Sequence, residues 1–379
     1  MPAQTILGID GKNWDHLLDS LEEGRCIMCL GQEVLSSPAF GRLEERLSGY
    51  LSEQEEKIRI RVYQDGWFHY LPDANEVDAW QRVKDFYRLP NPPAEALLRK
   101  IARLPGHFFL NFTPDYKLKE AFEEQGFAFN FLSYRKKEPY APDEDANRYP
   151  PTRQQPLVLN MLGEIRKRNS LVMTYNDFYT YLESIFEGNS MSPVLKENIW
   201  EADYFIFLGM PFEKWYVHMF MRILQQHETN RHSKKYAANP FLTDEITTHC
   251  AEQYTMTFVP TGIQEFVDTF HDKCEKRGLL RSAAQAVELK LPMDELREWI
   301  ADNQFEQVFD QLIYHLSEIG MPGEDWKKQI LQLEGRHNDL KRHIRMGTID
   351  DRDRMVETNR IRAVLIDTVD DLGKQFGTV

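Results

Sequence analysis

Cysteine, positive charge and long apolar runs are all scarce in this chain of 379 residues, and each shortage excludes something. Four cysteines cannot staple a chain of this length, and they agree with a reducing compartment. Lys and Arg number 46 against 60 Asp and Glu, a formal net charge of −14. That balance argues against general binding to nucleic acid or to an anionic membrane, since neutralising phosphates takes clustered cations. No run approaches the roughly 18 consecutive apolar residues of a membrane helix. The opening Met1-Pro-Ala-Gln-Thr5 lacks the basic-then-apolar layout of a signal peptide. The expectation is a cytoplasmic protein without membrane or direct nucleic-acid partners.

What is present suffices for folding. Hydrophobic residues make up 42% and aromatics 12%, enough for a packed core. The length exceeds one ordinary domain, and one large domain plus a small one is the natural split. The large part is organised around Pro156-Leu-Val-Leu-Asn-Met-Leu-Gly163, an apolar run ending on glycine, followed by Ser170-Leu-Val-Met-Thr-Tyr-Asn-Asp-Phe178. The pair reads as a buried strand and then a strand-to-helix entry in an open α/β sheet. Ligands of such sheets bind beyond the carboxyl ends of the strands, which places Leu162 and Gly163 at the mouth of a site.

Similar signals recur along the chain. Cys26 to Leu30 reads as a strand followed at once by Gly31-Gln-Glu33, where α/β folds bring backbone close to a phosphate, although only one glycine is present. Gly106 to Phe112, Phe127 to Leu132, Ala202 to Gly209 and Tyr254 to Val259 are further strand candidates. Helical periodicity covers Trp14 to Glu23, Phe40 to Leu51, Asp78 to Tyr87 and Ala94 to Leu104, which predicts a helical layer inserted beside the sheet. Thr113-Pro-Asp115 precedes a helix and carries ordinary capping chemistry beside any role in a pocket. Residues 133–155 read as a long loop able to fold over the strand ends, and 225–239 as a polar connection. Strands apolar on both faces, alternating with helices, predict a doubly wound, mostly parallel sheet.

Metal and redox readings are weak. Cys26 and Cys29 form a C-x-x-C, but on a strand residues three apart point to opposite faces, so they read as buried structural cysteines. His227, His232, His249 and Cys250 match no compact ligand spacing, and no metal site is expected. After Leu280 the composition changes. Met293 to Asn303, Phe305 to Ile319, Trp326 to Met346 and Asp350 to Leu372 are amphipathic helical patterns. The expected division is an α/β domain over 1–281, a linker over 282–292 and an all-α helical bundle over 293–379. Arg336, Lys341, Arg345 and Arg360 stand on the bundle's charged surface, either as a solvated face or as a face that docks a partner.

The order of these stretches resembles the sirtuin-like domain of bacterial conflict and antiphage systems, over about residues 10 to 280. The resembling places are Gly31-Gln-Glu33, Phe112-Thr-Pro-Asp115, Met161-Leu-Gly163 and Leu208-Gly-Met-Pro-Phe-Glu-Lys-Trp215. Residues 293–374 resemble an effector-associated domain of type eleven, through Leu333-Glu-Gly-Arg-His-Asn-Asp-Leu-Lys341, Gly347-Thr-Ile349 and Asn359-Arg-Ile-Arg362. The resemblance implies binding of NAD or a derivative and, in active members, cleavage of its nicotinamide–ribose bond. That reaction needs glycines beneath the pyrophosphate, and an Asn and a His at the nicotinamide ribose. Here the His position carries Leu162, the Asn position carries Thr113, and the glycine loop carries Gln32 and Glu33. A match shifted by two residues gives the Asn role to Asn111.

A nucleotide, if held, would meet Gly31, Gln32, Glu33, Thr113, Asp115, Leu162, Gly163, Gly209 and Trp215. The resemblance therefore implies a domain that has lost hydrolysis and serves as sensor, scaffold or regulatory subunit. Its helical tail would recruit a protein with a similar helical domain, or a second copy of the chain. The alternative is an NAD-hydrolysing effector using Asn111 or Thr113 with Asp115 or His107 as base. A third reading is an interaction protein whose vestigial pocket is filled by Leu162, Met210 and Trp215.

Overall fold

The computed structural model describes residues 6–134, 151–186, 193–227, 233–282, 292–319 and 321–376. The chain divides into two compact units, Met1–Ser282 and Ala283–Val379. The first unit runs α1 (Gly11–Glu22), β1 (Cys26–Leu30), α2 (Leu43–Ser52), α3 (Glu55–Ile58), β2 (Ile60–Val62), β3 (Phe68–Tyr70), α4 (Glu76–Arg88), α5 (Pro92–Arg103), β4 (Phe108–Asn111), α6 (Lys117–Glu124), β5 (Asn130–Ser133) and β6 (Leu157–Asn160). It continues through α7 (Tyr175–Phe186), α8 (Pro193–Glu201), β7 (Tyr204–Leu208), α9 (Trp215–His227), β8 (Lys234–Ala238), α10 (Asp244–Tyr254), β9 (Met256–Phe258) and α11 (Ile263–Lys276).

Seven strands form one sheet in the order β5-β6-β4-β1-β7-β8-β9, with every pairing parallel. Sequence composition dictates this. Every residue of β1, β4, β6 and β7 is buried, so neither face of these strands can meet water and both must be covered by helices. Cys26, Met28 and Leu30 pack on the face carrying Trp14, Leu97 and Phe266, whereas Ile27 and Cys29 pack on the face carrying Phe207, Val217 and Met221. The C-x-x-C is thus split between two cores, with burial pushing the Cys26 thiol up. The predicted parallel α/β class holds.

Three stretches differ from their sequence reading. Residues 225–239, read as a polar connection, hold β8, which pairs with both β7 and β9. Only Tyr236-Ala-Ala238 within it is apolar, too short a run to stand out beside two lysines. The insertion after β1 is not purely helical, because three-residue strands β2 and β3 pair antiparallel inside it. The run Leu171-Val-Met173 is no strand; Val172 N donates to Leu162 O at 3.0 Å, and Thr174 just after the run forms an isolated bridge to Phe68. It leads into α7 through a reciprocal cap, in which Asp177 Oδ2 accepts from Met173 N and Thr174 N at 3.2 and 3.1 Å while Thr174 Oγ1 accepts from Asp177 N at 3.1 Å. The loop expected to fold over the strand ends lies mainly outside the described residues.

The second unit contains α12 (Met293–Ala301), α13 (Phe305–Ile319), α14 (Met321–Arg345) and α15 (Asp351–Phe376). Leu296, Ile300, Phe309, Leu312, Ile330 and Leu365 bury one face of each helix in a shared core, as the apolar spacing predicts. Among the described residues no helix is long and apolar enough to cross a membrane.

Candidate functional site

The chain leaves β1 in the middle of the sheet, with β4 on one side and β7 on the other. That is a topological switch point, where a crevice opens beyond the strand ends. The crevice measures about 740 Å³, counting solvent space at its mouth. Its floor is Phe112, Thr113, Leu162 and Met210, just beyond β4, β6 and β7. Its roof comes from the insertion: Glu44 and Leu47 on α2, Gly66 to Phe68 at β3, and Val83 and Tyr87 on α4. Tyr216 and Val217 of α9 close one side.

The glycine loop turns away from this space. Gly31 N donates to Leu208 O at 2.8 Å, Glu33 N to Gly209 O at 3.1 Å, and Val34 N to Gly31 O at 3.2 Å. These N–H groups, which would cradle a phosphate in a nucleotide-binding loop, are engaged within the protein. A Cβ on Gly31 would collide with the Gly209 backbone; Gly209 has φ +64° and leaves only 2.6 Å between its own would-be Cβ and Val34 N. The two glycines are needed for the close approach of the β1 and β7 ends, and neither lines the crevice.

Glu33 does not face the crevice either. It is fully buried, and its Oε1 accepts from Arg42 Nε and Nη2 at 2.9 and 2.5 Å. Arg42 also donates to Glu213 at 2.7 Å and lies 3.3 Å from Glu44, which pairs in turn with Lys214 at 2.8 Å. Burial alone would make the Arg42 guanidinium easier to deprotonate; hydrogen bonds to Glu33 and Glu213 outweigh it and hold the charge more firmly than usual. The Glu33 carboxylate, expected to meet a nucleotide, is instead the anchor of an ionic cluster joining the β1 loop, α2 and the β7–α9 turn. Gln32 is the loop residue that reaches the crevice, with its Nε2 donating to Glu44 at 3.2 Å.

Asn111 ends β4 and stands opposite Asn160, which ends β6. Its Nδ2 donates to Asn160 Oδ1 at 2.8 Å and to Thr113 O at 3.0 Å, and its Oδ1 accepts from Thr113 Oγ1 at 3.1 Å. Asn160 donates onward to Asp115 O at 2.9 Å. The Asn111 carboxamide is buried in this web beneath the crevice floor, whereas Thr113 lines the crevice. Asp115 is buried as well. Its Oδ1 accepts from Lys117 N at 2.8 Å, the capping role, while Oδ2 has no hydrogen-bond partner among the described residues, and burial raises its carboxyl despite the neighbouring Thr113 and Lys117. His107 sits at the opposite end of β4 from Asn111, about 13 Å away at the usual rise per residue. It therefore cannot serve as a base at this site.

Leu162 lines the crevice where the resemblance calls for an imidazole. Gly163, at φ +82°, lets the chain pass against the Ser170 carbonyl, where any side chain would clash. Trp215 lies outside the crevice, 45% exposed, packed edge-on to Phe178 and stacked on Tyr179. Sequence reasoning missed Arg42, Asp65, Trp67, Tyr87, Asn160 and Tyr216. Only Asn160 carried a local signal, as the second apolar run to end in Asn. The others reach the site through the insertion and α9, which no spacing connects to the strand ends.

Among the described residues two groups of three bring potential metal-ligand atoms within 4.8 Å of one another: His271, Asp272 and Glu275, and Glu33, Glu44 and Glu213. Arg42 supplies the positive charge in the second. His249 packs beside His218, Cys250 is buried apart from them, and His232 and the His227 side chain lie outside what is described. In the helical unit Arg336 and Arg345 are exposed, Lys341 pairs with Glu306, and Arg360 pairs with Glu357 at 3.2 Å.

A parallel sheet with a crevice at its switch point defines a Rossmann-like α/β domain, here followed by a helical bundle. Residues 111–258 match the family model of the SIR2-like domain, and residues 292–373 match Effector-associated domain 11. The chain thus joins a SIR2-like domain to a C-terminal effector-associated domain. No curated protein matches it.

Proposed function

We propose that the chain is a component of a bacterial conflict system in which the SIR2-like domain has lost NAD hydrolysis and serves as sensor, scaffold or regulatory subunit, with the effector-associated domain recruiting a partner protein. The joining of these two domains supports the conflict-system setting. One observation carries the loss of hydrolysis: the lining position where a base is required is inert, and loop N–H groups suited to a phosphate are engaged elsewhere. Leu162 cannot take up a proton, the Gly31, Glu33 and Val34 N–H groups bond to Leu208, Gly209 and Gly31, and among the described residues the lining contains Glu44 and Asp65 but no Lys, Arg or His. A pyrophosphate entering this space would meet the Asp65 carboxylate, which repels it.

Asp115 is the observation that favours the enzyme reading, because a buried carboxyl raised by desolvation resembles a tuned general base. Its hydrogen bond to Lys117 N and its place at the start of α6 fit a cap better. The test is release of nicotinamide from NAD by the full chain, alone and at high concentration. None is expected. Release that disappears in Asn111→Ala or Asp115→Asn would establish the enzyme instead.

A further inference from the structure

We propose that the crevice binds a compact organic cation of the quaternary-ammonium or N-alkylpyridinium class, with Asp65 as its counter-charge. The proposal rests on the reading that the crevice is no longer a dinucleotide site, and goes beyond it by naming what the remaining surface suits. Five aromatic side chains line the space, Trp67, Phe68, Tyr87, Phe112 and Tyr216, with Trp67 and Tyr216 in ring contact at 5.8 Å. Aromatic faces attract cations through their quadrupole, most strongly where water is excluded, and cages of this composition suit alkylated ammonium groups.

The two carboxylates in the lining differ. Glu44 is already neutralised, 2.8 Å from Lys214 and 3.3 Å from Arg42, and accepts from Gln32. Asp65 has no ion pair among the described residues. Its oxygens are held by two neutral donors, the Trp67 N–H at 3.1 Å and the Tyr175 hydroxyl at 2.6 Å. The Tyr175 phenol, raised by burial and by Asp65 itself, stays the proton donor in that bond. Two neutral hydrogen bonds orient Asp65 without cancelling its charge. Among the described residues the crevice therefore offers one fixed negative charge without an ion pair beside aromatic walls, and its lining holds no positive group for an anion.

The experiment compares N-methylpyridinium with toluene, its neutral isostere, by NMR titration of the full chain, with ADP-ribose as the anionic probe. N-methylpyridinium should bind at least tenfold more tightly than toluene. Asp65→Asn, which keeps the size of the side chain, should erase that preference while leaving the urea midpoint of the α/β unit unchanged. Tyr175→Phe, which frees Asp65 to move, should weaken cation binding severalfold.

Equal or tighter binding of toluene would make the crevice merely apolar and overturn the proposal, as would full cation binding in Asp65→Asn. Saturable binding of ADP-ribose that displaces N-methylpyridinium would overturn it too. Absence of cation binding in a chain that still fails to cleave NAD would sink this proposal alone, whereas nicotinamide release would sink the reading beneath it.

Discussion

Replacing Arg42 by Met should cost the α/β unit about 3 kcal/mol. Arg42 donates to Glu33 at 2.9 and 2.5 Å and to Glu213 at 2.7 Å, and Glu33 is fully buried. Breaking a buried pair by removing one member leaves an unpaired charge out of water, a penalty of about 3 to 5 kcal/mol. The lower end applies because the Arg42 side chain is 23% exposed and water can reach the cluster from that side. Lys214 cannot compensate, since its ammonium is already committed to Glu44. Adding Glu33→Gln to Arg42→Met should restore at least half of the loss, because the remaining group is neutral. The chain has two units, so whole-chain melting is a poor measure. Exchange of the β1 and β7 amide hydrogens in increasing urea isolates the sheet. A loss under about 1 kcal/mol, or a double variant no more stable than the single one, would show that the cluster behaves as an ordinary surface pair.

Burial lowers the His107 imidazole to about 4, against an ordinary 6.5, so the folded state needs it neutral. Its contribution is complete above pH 6.5 and is lost as pH falls towards 4; at about 1.36 kcal/mol per pH unit the loss reaches about 3 kcal/mol. The stability advantage of the native chain over His107→Gln, from urea midpoints of the α/β unit, should shrink over that interval, and a constant difference would refute the assignment. Arg281 donates to the carbonyls of Ala102, Leu104 and Gly106 at 3.1, 3.2 and 2.7 Å and to that of Arg153. A chain ending after Ser282 should therefore fold, while one ending after Leu280 should be less stable by about 3 kcal/mol in urea, given the strength of hydrogen bonds to charged donors. Arg336→Glu and Arg360→Glu should leave the stability of the helical unit within about 0.5 kcal/mol, as exposed positions do. If the tail recruits through this face, the same changes should weaken partner binding at least tenfold by titration calorimetry.

The legible parts of the fold were those written in contiguous residues. β1, β4, β6 and β7 announce themselves because each is an apolar run, broken only by the Asn that ends β4 and β6, as a parallel strand buried on both faces requires. The four helices after Pro292 were legible for the analogous reason, a helical period sustained over long stretches. β8 was not, because its register between β7 and β9 is decided by neighbours and not by its own Lys234-Lys-Tyr-Ala-Ala238. The site was legible at its floor, where Thr113, Leu162 and Met210 follow directly on strands, and illegible at its roof. Asp65, Trp67 and Tyr87 come from an insertion whose fold depends on a three-residue hairpin packing on helices. No pattern of period 2 or 3.6 can express that.

The same distinction explains why glycines at strand ends do not by themselves point to phosphate. A glycine after β1 is needed wherever another backbone approaches closely, and a phosphate is only one such visitor. Here the visitor is the protein itself: Gly31 meets Gly209, and the Gly31, Glu33 and Val34 N–H groups donate to the carbonyls of Leu208, Gly209 and Gly31. Beside these joined loops the positive charge of Arg42 serves a buried acid, Glu33. The backbone geometry of a nucleotide fold and the donors that would hold a nucleotide are distinct features. The first rests on glycines and apolar strands, which this chain keeps. The donors must be free and face the crevice, and the charge left in that crevice at Asp65 has the opposite sign.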